Sequence, residues 1–208
     1  MKTPPNNSVL INVCIIPNNT IIEKCIKISR SLESEGTMFI LDGKTKFPHM
    51  TIYMARFSNN TIDKAIQSVS KSLENLKRFN CNHTGYLMTE GRYFEASYEK
   101  SKEFMTLHKN IINIIKDFRI NPGDPFEEGY FTPYTKEQQK NAKETGYDLA
   151  YNLYRPHITL TRYKENMIPE KKPIPEENNL SFELNKICIY KADDNGAVYE
   201  KLVEFEVR

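Results

Sequence analysis

The chain holds 208 residues, 39% of them hydrophobic and 27% charged, which suits one ordinary domain with a real core and excludes a disordered chain. Lys and Arg number 29 against 27 Asp and Glu, a net charge of +2 that excludes histone-like binding along nucleic acid but allows a local basic patch. No apolar run approaches the roughly 18 residues of a membrane span, residues 1–7 lack the apolar stretch of a signal peptide, and Cys14, Cys25, Cys81 and Cys188 form no CxxC pair. The expectation is a soluble cytoplasmic chain with free thiols.

Along the chain, residues 9–16 form a β-rich run stopped by Pro17. Residues 20–32 read as an amphipathic helix, with Ile21, Ile22, Cys25, Ile28 and Leu32 on one side. Two short strands are expected at 38–41 and 50–57, and a second helix at 61–76 on Ile62, Ala65, Ile66, Val69 and Leu76. Residues 80–88 and 92–98 read as a hairpin around Glu90-Gly91, and 101–118 as a third helix burying Phe104, Leu107, Ile111, Ile114 and Ile115. Asn121-Pro122-Gly123-Asp124-Pro125 then breaks regular structure. Thr135-Lys136-Glu137-Gln138 fits a capping box that opens a short polar helix to about Lys143. A strand is expected at 157–163, then a Pro- and Glu-rich linker, then strands at 181–191 and 198–207 around Asp193-Asp194-Asn195-Gly196. Three amphipathic helices among about eight short strands make an α+β protein.

The pattern that carries chemistry occurs twice, as Phe47-Pro48-His49-Met50-Thr51-Ile52-Tyr53 and as Arg155-Pro156-His157-Ile158-Thr159-Leu160-Thr161. Strand alternation puts His49, Thr51 and Tyr53 on one face, and His157, Thr159 and Thr161 on another, each backed by apolar residues. Proline before each His pushes the preceding residue to extended geometry and fixes the strand entry. Two imidazoles can act as general base and general acid in one reaction. Two Thr hydroxyls can hold the non-bridging oxygens of a phosphate between them, and in-line displacement at phosphorus suits groups on opposite sides.

The doubled His-x-Thr pattern, and Arg-Pro-His-Ile-Thr-Leu-Thr-Arg from Arg155 to Arg162 above all, resembles the 2H phosphoesterase superfamily, in its 2′-5′ RNA ligase-like and cyclic phosphodiesterase branch. The resemblance implies one two-lobed domain over residues 1–208, with two antiparallel sheets related by a pseudo-twofold, helices outside and a cleft between them. It implies His49 and His157 as acid and base and Thr51 and Thr159 as phosphate ligands. The activity implied is hydrolysis of a 2′,3′-cyclic or 2′-5′ phosphodiester on an RNA end or a small nucleotide, by a monomer using no metal or cofactor. Residues 121–152 form an insert relative to shorter members. A cyclic nucleotide or cyclic oligonucleotide signal is the competing substrate, and an idle RNA-binding module the competing class. Intact His and Thr pairs argue against the latter, as does the near-neutral charge.

Further candidate substrate contacts are Tyr53 and Thr161, which continue the two cleft faces, and the aromatics Tyr130, Phe131 and Tyr134 of the loop before the second motif. Strict alternation turns Arg162 away from His157, so it belongs to a rim or structural place unless a twist or bulge brings it round. Cys81-Asn82-His83 has ligand-like spacing, but nothing near it in sequence completes a metal site. His108 belongs at the edge of the apolar face of its helix.

Overall fold

A computed structural model describes residues 7–120 and 134–207. Nine strands and four α-helices are formed by these residues. The first half runs β1 (Ser8–Ile15), α1 (Asn19–Ser31), β2 (Met50–Ser58), α2 (Ile62–Leu73), β3 (Asn80–Cys81), β4 (His83–Met88) and β5 (Tyr93–Tyr98). The second runs α3 (Lys102–Ile115), α4 (Lys136–Thr145), β6 (His157–Arg162), β7 (Phe182–Glu183), β8 (Lys186–Ala192) and β9 (Val198–Glu206). All strand pairs are antiparallel, in a four-stranded sheet of order β2-β1-β8-β9, a three-stranded sheet of order β4-β5-β6, and a small β3-β7 pair. No helix of the described residues is long and apolar enough to cross a membrane.

The helices begin where polar side chains can satisfy their orphan amides. Asn18 Oδ1 accepts from Ile21 N–H at 3.1 Å, and Ser101 Oγ accepts from Phe104 N–H at 3.3 Å. Thr135 and Gln138 close the expected capping box on α4. Two helices then cross to the other sheet: α1, which follows β1, packs on β6, whereas α3, which follows β5, packs on β2 and is covered by α2. This exchange places β2 and β6 side by side at the middle of the molecule.

Three sequence expectations change. Residues 38–41 form no strand, because side chains take their backbone groups: Phe39 O accepts from Thr161 Oγ1 and Leu41 N–H donates to Ser29 Oγ. The run at 80–88 is split, β3 pairing with β7 and β4 with β5, and a register shift follows at Gly85, where φ is +131°. The run at 181–191 divides in the same way into β7 and β8, which join different sheets.

Candidate active site

Both motif strands line one cleft of about 980 Å³, with His49 and Thr51 on one wall and His157 and Thr159 on the other. The two histidines are held alike. His49 Nδ1–H donates to the Phe47 carbonyl at 2.8 Å, and His157 Nδ1–H donates to the Arg155 carbonyl at 2.8 Å. A carbonyl can only accept, so Nδ1 carries the proton of each neutral ring. Burial lowers the pKa of His49 below its ordinary value, the Phe47 carbonyl opposes that shift, and charge on His157 lowers it further.

Thr51 has a partner that periodicity does not reveal. Asn12 of β1, fully buried, donates from Nδ2 to Thr51 Oγ1 at 2.9 Å, which leaves the threonine proton free to point at a ligand. On the second wall, Glu95 of β5 is buried with its carboxylate 3.6 Å from His157 Nε2. Arg155 grips the same carboxylate through both terminal nitrogens, with Nη2 to Oε1 at 3.3 Å. Arg155 therefore holds His157 from its main chain and Glu95 from its side chain. Glu95 gives a proton on His157 Nε2 a counter-charge.

Both motif strands carry a register shift one residue after the threonine. Val13 faces Tyr53 and Cys14 faces Thr51, so Ile52 is the extra residue on β2. Phe94 faces Thr161 and Glu95 faces Thr159, so Leu160 is the extra residue on β6. A bulge of this kind reverses the alternation beyond it. Tyr53 and Thr161, expected on the cleft faces, turn into the core instead. Tyr53 donates to the Thr145 carbonyl and packs edge-on against Tyr147, while Thr161 Oγ1 donates to the Phe39 carbonyl at 2.6 Å. The positions turned into the cleft are Met54, Arg56 and Arg162. For Arg162 this is the bulge that alternation required before it could reach the cleft. Its guanidinium lies over the Tyr93 ring at 5.0 Å, and its Nε–H donates to the Gly91 carbonyl at 3.2 Å.

Tyr134 also lines the cleft, whereas Tyr130 and Phe131 lie outside the described residues. Among the cleft cations, Lys46 pairs with Asp193 at 3.2 Å and Arg56 with Asp194, two acids of the β8–β9 turn. His108 lies fully inside, not at the edge of its helix face. His83 packs edge-on against Tyr86 and Tyr98 at 4.9 and 5.7 Å, and Cys81 is buried. Among the described residues no three His, Cys, Asp or Glu side chains are grouped as metal ligands would be.

No family model and no curated protein matches the sequence. Solved structures do match. Apo E. coli LigT superposes with a TM-score of 0.62 at 13% identity over 97% of this chain and 99% of that one. E. coli LigT complexed with 3′-AMP gives 0.60 at 12% identity over 96% and 98%. TT0787 of Thermus thermophilus gives 0.62 at 14% identity over 96% and 98%. Near-complete coverage at such low identity is a likeness of fold, and the chain shares the fold of LigT and TT0787.

Proposed function

We propose that this protein is a phosphodiesterase that hydrolyses a 2′,3′-cyclic or 2′-5′ phosphodiester of RNA or a nucleotide by paired-histidine acid/base catalysis, without a metal. The observation that carries the reading is the matched pair of imidazoles facing one cleft, each with Nδ1 fixed on a carbonyl and each beside a threonine. Water attacks phosphorus while one Nε2 takes its proton; the bond to the ribose oxygen breaks, and that oxygen takes a proton from the other Nε2. Thr51 and Thr159 donate to the non-bridging oxygens and hold the phosphorus between the rings. Burial and the neighbouring ring favour neutral His49, which suits it to be the base. Glu95 supports His157 as the acid. Crystal structures of LigT hold 3′-AMP, ATP and phosphate, which supports a nucleotide in a cleft of this fold.

The test is a product assay on 2′,3′-cyclic nucleotides, 2′-5′ oligonucleotides and cyclic dinucleotides, with and without EDTA. Turnover of either of the first two classes is expected, within a few-fold of the untreated rate in chelator, and each His→Ala change should lower kcat by roughly 10²–10⁴. Turnover of cyclic dinucleotides alone would favour a signal-degrading enzyme. Retention of more than about a tenth of kcat by either variant is too much for loss of a general acid or base and would refute the mechanism. Loss of activity in EDTA, restored by one divalent ion, would do the same.

A further inference from the structure

Two polar side chains interrupt otherwise apolar helix faces. Ser29 of α1 is fully buried beside Cys25 and Ile28, and His108 of α3 is fully buried beside Leu107 and Ile111. Neither lines the cleft. A buried hydroxyl or imidazole without partners is costly, so their bonds need an account.

Those bonds follow one plan. Ser29 Oγ–H donates to the Leu160 carbonyl at 2.7 Å, and its oxygen accepts the Leu41 N–H at 2.8 Å. His108 Nδ1–H donates to the Ile52 carbonyl at 2.6 Å, and its Nε2 accepts the Tyr151 N–H at 2.9 Å. Ile52 and Leu160 are the two bulge residues, which have no partner in register across the ladder. The two amides lie in the segments that run on to the opposite motif, Leu41 ahead of His49 and Tyr151 ahead of His157. A second tie doubles each link. Thr161 Oγ1 donates to Phe39 O at 2.6 Å, and Tyr154, stacked on His108 at 3.9 Å, donates from Oη to Thr51 O at 3.2 Å.

We infer that Ser29 and His108 are a matched pair of positioning residues, each clamping the bulge of one His-x-Thr strand to the segment that delivers the other histidine. Neither side chain touches reacting atoms. Together they set the separation and tilt of the two imidazoles, and displacement by about 1 Å is enough to cost a large factor in rate. Helix exchange makes this possible, because each helix lies between one motif strand and the approach to the other.

The test compares Ser29→Ala, Ser29→Thr and His108→Asn in the full chain, on a 2′,3′-cyclic nucleotide and by NMR of the histidine rings. Ser29→Ala is expected to lower kcat about tenfold with KM within about threefold, and to move the ring signals of both His49 and His157. Ser29→Thr, which keeps the hydroxyl, should restore most of the rate. His108→Asn places its amide near the Nδ1 position and should lose less kcat than His108→Phe. The kinetic arm rests on the phosphodiesterase reading, but the ring signals do not. A wild type inactive on every phosphodiester would refute that reading and leave the spectra to decide this one. If Ser29→Ala does not fold, Tyr154→Phe, which removes one hydroxyl and no core volume, is expected to lower kcat and move the same signals. A folded variant with kcat within about twofold of wild type and unmoved ring signals would overturn the inference.

Discussion

At the scale of single residues, Thr51 shows how a hydroxyl is made ready. Its oxygen already accepts from Asn12, so the bond left to make is the donated one, which the proposed mechanism directs at a phosphate oxygen. Thr51→Ala and Thr159→Ala should each weaken the transition state by about 1.5–3 kcal/mol, the value of one charge-assisted hydrogen bond, read as kcat/KM. Asn12→Ala should cost about 1 kcal/mol in the same measurement, since it loosens the hydroxyl without removing it. A larger loss for Asn12→Ala than for Thr51→Ala would contradict that division of labour. The four motif residues are legible in sequence because each pair sits within three positions. Glu95 is not, because its meaning comes from Arg155, which reaches it only after β5 and β6 pair. Asn12 leaves a trace, as one amide within an unbroken apolar run.

At the scale of elements, the amphipathic helices and most strands follow from period alone, and capping residues place their starts within a residue or two. The bulges do not follow. An extra strand residue has no composition of its own, and Ile52 and Leu160 look like ordinary inward positions until pairing shows them unmatched. Hence Tyr53 and Thr161 are misassigned by alternation, and Arg162 reaches the cleft. The end of α4 is set more locally. Gly146 adopts φ +81°, its amide donates to Ala142 O at 2.8 Å, and an added Cβ would lie 3.1 Å from Ala55 Cβ and 3.2 Å from Arg119 Cδ. Gly146→Ala should therefore destabilise the protein by about 1–2 kcal/mol in urea melts, from the left-handed backbone alone. An unchanged midpoint would mean that α4 ends without that conformation.

At the scale of the whole molecule, His108 makes stability depend on pH. Its burial between β2 and the 151–154 turn lowers its pKa to about 4 from an ordinary 6.5, with the Ile52 carbonyl opposing. The unfolded chain therefore binds a proton at pH values where the fold does not. Stability is complete above about pH 6.5 and falls as pH drops toward 4, by about 3 kcal/mol for this ring. His49, lowered for similar reasons, acts in the same direction. Urea melts at pH 7 and 4.5 should show the loss, and His108→Phe should flatten the slope between them. An equally steep slope in the variant would place the proton uptake elsewhere.

The exchange of α1 and α3 between the sheets also decides how the cleft can move. A jaw needs two bodies joined by a hinge, and here each lobe is roofed by a helix that enters from the other. Parting the walls would mean stripping α1 from β6 and α3 from β2, which exposes the core. The groove between the sheets is therefore expected to keep its shape when a ligand enters, so that little of the binding energy goes into closing it.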